Sequence, residues 1–235
     1  MQGMIKIAAG LALLSGTAIA GTWVEVGDAA DALSGYQLTN GVGSLDAIDG
    51  ATSTTGGDWV DAYCIKIVDP LAFFASTSDL VGPGSASFDT RLFLFDINTG
   101  APLLMNDDRT GSTPSFRSLL SGPSFWAANG GGAATTDNPQ EVVAGQDYIL
   151  AIAGYSNMVE DAALVDNFTV DTTFAFSNLY GPNPAAGAPD HWENATGDAS
   201  GTYHIALAGV TYSVPAPGAL TLLGAGGLVA FRRRR

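Results

Sequence analysis

The chain has 235 residues, with 23 acidic residues against nine basic ones, a net charge of −14 and a single cysteine. That balance argues against nucleic acid as a partner, because such binding needs clustered Lys and Arg. One cysteine excludes an intrachain disulfide, so the fold must rest on a packed core.

The chain opens with a cationic Lys6, an apolar run from Ile7 to Leu14, and the small-x-small tripeptide Ala18-Ile19-Ala20. The run is too short to span a bilayer. Charge, apolar run and cleavage pattern in this order predict a secretory signal peptide over residues 1–20, cut between Ala20 and Gly21. The implied partners are the Sec machinery and a signal peptidase.

Residues 21–213 then form one domain-sized segment. It holds all 23 acidic residues but only four basic ones, Lys66, Arg91, Arg109 and Arg117, for a net charge of −19. Nineteen of the acids are Asp, a residue that favours turns and loops. The surface therefore favours cations, and it also keeps an exported protein soluble. Tyr63, Ile65 and Ile67 alternate with Cys64, Lys66 and Val68, which predicts a strand with Cys64 packed inside it. Leu71 to Ser76 is a second apolar run. Arg91 to Asp96 is apolar on both faces and reads as a central strand, with Asn98-Thr99-Gly100 as its turn and Leu103 to Asn106 as its hairpin partner. Tyr148 to Ala153 is another buried strand. In Thr202 to Ala208, Tyr203, Ile205 and Leu207 face one way and Thr202 and His204 the other. Short runs separated by Gly, Asp, Ser and Pro clusters predict an all-β sandwich. Thr110 to Pro139 and Tyr180 to Gly201 read as long irregular loops.

Among these elements, Asp89, Asp96, Asn106, Asp107 and Asp108 form the leading acidic set. Asp89 begins the strand that Asp96 ends, so antiparallel pairing brings Asp89, not Asp96, towards Asp107 and Asp108. Calcium takes six to eight oxygen ligands, and Asp89, Asp107 and Asp108 with loop carbonyls are the candidate donors. The competing reading is a set of Asx-turns that bond their own backbone. Glu25, Asp28 and Asp61 form a second, smaller acidic group. Trp126, Tyr155, Tyr180 and Trp192 lie in or beside loops, and Trp126 and Trp192 are candidates to stack on a sugar ring. Asp190-His191-Trp192-Glu193 reads as a solvent-facing loop. No Gly-x-Ser-x-Gly elbow, His-Glu-x-x-His or phosphate loop occurs, so the reading is non-enzymatic.

The C-terminus reads Val214-Pro215-Ala216-Pro217, then an apolar run from Gly218 to Phe231, then Arg232, Arg233, Arg234 and Arg235. The prolines should end any preceding strand. A 14-residue helix spans roughly 21 Å, short of the ~30 Å hydrocarbon core. The arginines would stay cytoplasmic, so the segment suits a transient inner-membrane anchor. Residues 214–235 resemble the PEP-CTERM sorting signal of Gram-negative bacteria, with Ala216 where that family usually has Glu. The resemblance implies processing by an exosortase-type enzyme in exopolysaccharide-producing cells.

Six segments in order, Trp23 to Ala29, Asp61 to Tyr63, Phe88 to Asp96, Asn106 to Asp108, Tyr148 to Ile152 and Gly201 to Leu207, are similar to the bacterial pre-peptidase C-terminal domain. That resemblance implies a non-catalytic, jelly-roll-like antiparallel β-sandwich, some of whose members bind calcium or extracellular polymers. The expectation is thus an exported envelope or matrix protein that contacts exopolysaccharide or surface proteins. A secreted hydrolase built on acidic residues and an adhesive or ice-binding surface are the alternatives. For the last, Thr52, Thr54 and Thr55 are too few to make a regular array.

Overall fold

The computed structural model describes residues 21–30, 35–53, 57–110, 116–129, 135–136, 139–169, 177–193 and 200–215. Residues 1–20, where a signal peptide is expected, and residues 216–235 of the expected sorting tail lie outside these residues. Strands of three or more residues are β1 (Gly21–Val24), β2 (Leu45–Ala51), β3 (Val60–Ile67), β4 (Phe74–Ser76), β5 (Thr90–Asp96), β6 (Pro102–Asn106), β7 (Leu119–Ser121), β8 (Gln146–Gly154), β9 (Val159–Asp161), β10 (Pro189–Trp192), β11 (Thr202–Ala208) and β12 (Val210–Tyr212). The chain is all-β apart from one described helix, α1 (Pro123–Asn129).

β5 shows how the sequence sorts itself. Its register with β6 and β8 places it inside an eight-stranded sheet ordered Thr135–Thr136, Leu179–Tyr180, β6, β5, β8, β3, β12, with Gln37–Leu38 beside β3. Successive strand residues point to opposite faces. Leu92 and Leu94 therefore join Tyr63, Ile65, Leu150 and Ile152 in one core, and Phe93 and Phe95 join Ala151, Phe168 and Trp192 in another. The run is apolar on both faces because both faces are covered.

The first core lies between this sheet and a six-stranded one ordered β1, β2, β11, β4, β7, with Ser85–Ala86 also paired to β11. Leu45 and Ile48 of β2 and Tyr203, Ile205 and Leu207 of β11 supply its near wall. The second core is closed by the two-stranded β9–β10 sheet and its flanking loops. There Phe93 meets Trp192 edge-on at 5.1 Å and Phe95 meets Phe168 at 5.8 Å, geometries that add to the roughly 1.5–3 kcal/mol of burying each large apolar side chain. Cys64 is free and buried within β3, as its strand pattern predicts.

Gly209 joins the two sheets at the end of β11. Its φ of +68° suits glycine, and a Cβ there would stand 2.4 Å from the Asp69 carbonyl oxygen. The chain then enters β12 on the edge of the eight-stranded sheet.

Three expectations need correction. The stretch 110–139 is not uniformly irregular: it contains β7 and α1, which begins on Pro123, a residue suited to the first helical position. Leu119 to Ser121 is too short to show a period, yet all three residues are buried by pairing with β4. His191 lies on β10 rather than in a loop. Pairing also continues into the proline box, where Val214–Pro215 runs parallel to Asn40–Gly41 and Val214 N donates to Thr39 O at 3.0 Å. Proline is tolerated there because this is an edge. No described helix is long and apolar enough to cross a membrane.

Candidate cation sites

Two acidic triads assemble among the described residues, each with one carboxylate oxygen per residue within 4.8 Å of the others: Glu25, Asp28 and Asp61, and Asp89, Asp107 and Asp108.

The first stands where β1 ends, at the mouth of the inter-sheet core. Glu25 is fixed by its neighbours: Oε1 accepts from Ala29 N and Oε2 from Ala51 N, both at 2.9 Å. Asp28 is exposed. Asp61 sits on β3 with the same facing as Tyr63, fully buried. Its Oδ2 accepts the Tyr203 hydroxyl at 2.6 Å, while Oδ1 is buried without a hydrogen-bond partner. Gly50 makes this possible, since a Cβ there would lie 2.3 Å from the Tyr203 hydroxyl oxygen and 2.8 Å from Glu25 Oε2. Burial pushes the Asp61 carboxyl up to about 8, the Tyr203 hydrogen bond opposes this, and the nearby charges of Glu25, Asp58 and Asp28 add to it. A buried acceptor oxygen facing like charges is short of a cation or a proton. Three hard oxygen donors suit calcium, with the remaining ligands drawn from loop carbonyls and water.

The second triad lies at the start of β5 and the end of β6, the pairing expected from the hairpin. Burial pushes Asp108 up to about 7, with Asp107 and Asp89 adding to the rise and Arg91 opposing it. Here the chain supplies its own cation: Arg91 Nη2 bonds Asp107 Oδ2 at 2.7 Å, both side chains nearly sealed from solvent, and Nη1 donates to Asn157 O at 3.2 Å. Asn106 is a clamp rather than a ligand, because its Nδ2 donates to Asp108 O and Asn178 O and its Oδ1 accepts from Leu119 N. Asp96 lies at the far hairpin end, its Oδ1 accepting from Asn98 N, Thr99 N and Thr99 Oγ1 in an Asx-turn. Each group holds a buried carboxylate oxygen without a hydrogen-bond partner, Asp61 Oδ1 in the first and Asp108 Oδ1 in the second, and the second also carries the Arg91 guanidinium.

The aromatic candidates fare differently. Trp126 is 2% exposed on α1 and Trp192 is 5% exposed in the second core, so neither ring offers a face to a sugar. Tyr180 is also buried, and Tyr155 is the exposed one of the four at 45%. Trp126 packs from α1 into the first core, and Trp192 from β10 into the second. His191 stands between two carboxylates, 3.2 Å from both Glu160 Oε2 and Asp190 Oδ2. Of the processing motifs, Gly21, Val214 and Pro215 fall within the described residues; Ala18, Ala20, Ala216, Pro217 and the four terminal arginines do not.

Comparison of the chain with protein-family models, with characterised proteins and with solved structures finds no match.

Proposed function

We propose that this is an exported envelope or matrix protein that acts by binding, with calcium setting the geometry of its loop ends. In this reading the signal segment delivers it, the C-terminal tail holds it at the inner membrane until an exosortase-type enzyme releases it, and the β-sandwich, of the jelly-roll-like pre-peptidase C-terminal kind, engages extracellular polysaccharide or surface proteins. The observation that carries the reading is the buried Asp61 carboxylate, with one oxygen unsatisfied, beside Glu25 and Asp28. A bound calcium would neutralise these three acids and tie β1 to the mouth of the core. The net charge of −19 between the processing segments favours the same cation.

The test is co-sedimentation of the purified exported protein with exopolysaccharide from the producing cells, in calcium and then in chelator. Sedimentation in calcium that is lost in chelator and in D61N supports the reading. No sedimentation in either condition sinks the polymer half of it, and equal thermal stability with and without calcium sinks the cation half.

A further inference from the structure

The last described strand pair lies outside both large sheets. β12 runs antiparallel to β3 as far as Tyr212, opposite Ile65. The chain bends at Ser213, and Val214–Pro215 then runs parallel to Asn40–Gly41. Val214 and Pro215 are the first half of the proline box, so the domain holds part of that box as an edge strand.

Thr39 makes the hold. It follows Gln37–Leu38, which pairs with β3, and it is fully buried. Its Oγ1 donates to Cys64 O at 2.7 Å, which commits its one proton, and accepts from Ser213 N at 3.2 Å. Its carbonyl oxygen accepts twice, from Ser213 Oγ at 2.9 Å and from Val214 N at 3.0 Å. Three bonds from two consecutive residues thus converge on one buried threonine. Tyr212 fixes the approach. A Cβ at Gly41 would lie 2.5 Å from its ring, so only glycine lets the paired strand pass so close.

The hold is also local. The pairing is two residues long, and Val214 is 40% exposed, so its side chain adds little burial. A segment kept by a few hydrogen bonds at an exposed edge opens far more readily than the core strands. Opening as far as Ser213 leaves β12 on β3.

Pairing and reach both bear on what can touch the box. A peptidase that takes an extended substrate pairs with its backbone, and the Val214 N–H is already given to Thr39. Three residues lead from Pro215 to Gly218, where the apolar run begins, a reach of at most about 11 Å. Opening residues 213–215 about doubles that reach.

We propose that residues 213–215 form a strap: closed on Thr39, it shields the proline box from the peptidase that cuts there, and opening presents the box as a free extended segment. Thr39 is set in place by its bond to β3, so the strap closes only once the domain has folded. The rate of tail removal is then the rate of strap opening. The shielding rests on the sorting-tail reading above; the strap itself does not.

The test uses the full-length protein in detergent micelles. Hydrogen exchange, read by peptide mass spectrometry, follows the Ser213 and Val214 amides. They should exchange more slowly than in a free peptide of the same sequence, and at least about tenfold faster in T39V than in wild type. S213A, which keeps both amides and loses one bond, should fall between. Unchanged exchange across β8 shows that the opening is local and that the variants are folded. In producing cells, pulse-chase should show T39V and S213A losing the tail sooner than wild type. Free-peptide exchange in wild type overturns the strap. Faster exchange with an unchanged rate of tail loss overturns the shielding. A tail kept by wild type and both variants overturns the sorting-tail reading and the shielding with it, while the exchange rates still decide the strap.

Discussion

The Tyr203 hydroxyl donates to Asp61 Oδ2 at 2.6 Å and lies 2.5 Å from the Tyr63 hydroxyl. Tyr203 has one proton and gives it to Asp61, so Tyr63 is the donor to Tyr203. Three buried side chains thereby tie the middle of one sheet to the other, and the chain of bonds ends on a carboxyl with a spare oxygen.

That carboxyl makes stability depend on pH. Between its ordinary value of 3.8 and about 8, folded Asp61 holds a proton that the unfolded chain releases. The folded state binds more protons in this window, so in chelator the stability from Asp61 is complete below about pH 4 and falls as pH rises towards 8, by about 1.4 kcal/mol for each pH unit crossed. Asp108, pushed up to about 7, acts in the same direction. Thermal melts from pH 4 to 8.5 should show this slope in chelator, a shallower one in calcium, and a shallower one in D61N.

Tyr203→Phe removes the hydrogen bond that favours ionised Asp61. The carboxyl then rises further, and calcium competes against a more tightly held proton. Calorimetric titration at pH 7 should give weaker calcium binding than wild type, with more protons released per ion bound. Unchanged affinity would show that Asp61 is not a ligand.

Arg91 and Asp107 form a buried pair. Arg91→Met strands Asp107 in the interior and should cost about 3–5 kcal/mol in chelator, read from denaturant unfolding. With the guanidinium gone, the Asp89 triad loses its internal counter-charge, so added calcium should recover more stability in the variant than in wild type.

Trp126→Ala and Trp192→Ala should each lower stability by about 3–5 kcal/mol, the cost of emptying a large buried site. Any loss of polymer binding should track the unfolded fraction. Wild-type stability with selective loss of binding would contradict the burial of these rings.

The signal-peptide reading places the new terminus at the first residue of β1. A Cβ at Gly21 would lie 2.1 Å from the Tyr212 hydroxyl oxygen. Mass spectrometry of the exported protein should begin at Gly21, and Gly21→Val should lower the melting temperature by crowding Tyr212.

Much of the sandwich was legible because alternation and two-faced apolar runs report burial directly. β5, β6, β8 and β11 could be read this way, and so could the meeting of Asp89 with Asp107 and Asp108, which follows from hairpin direction alone. β7 and β10 were not legible, since three or four residues carry no period and only their partners decide them. Trp126 and Trp192 misled because neighbouring Gly and Pro suggest exposed loops, whereas Trp126 lies on α1 and Trp192 on β10, and both rings are buried. Asp49 and His204 were invisible as a pair. His204 and Asp49 lie 155 residues apart, and only strand register makes them neighbours.

β11 fills the middle of the six-stranded sheet, between β2 and β4, yet it is nearly the last strand to be made. Under the export proposed above, a chain threaded through a translocon amino end first arrives with that slot vacant. It cannot close its larger core until Ala208 has crossed, and it cannot seal the Asn40–Gly41 edge until Pro215 follows. Twenty residues then remain behind. In such an export the order of the strands would delay folding until the chain is nearly across, and a nascent chain cut short before β11 would lack the central strand of the six-stranded sheet.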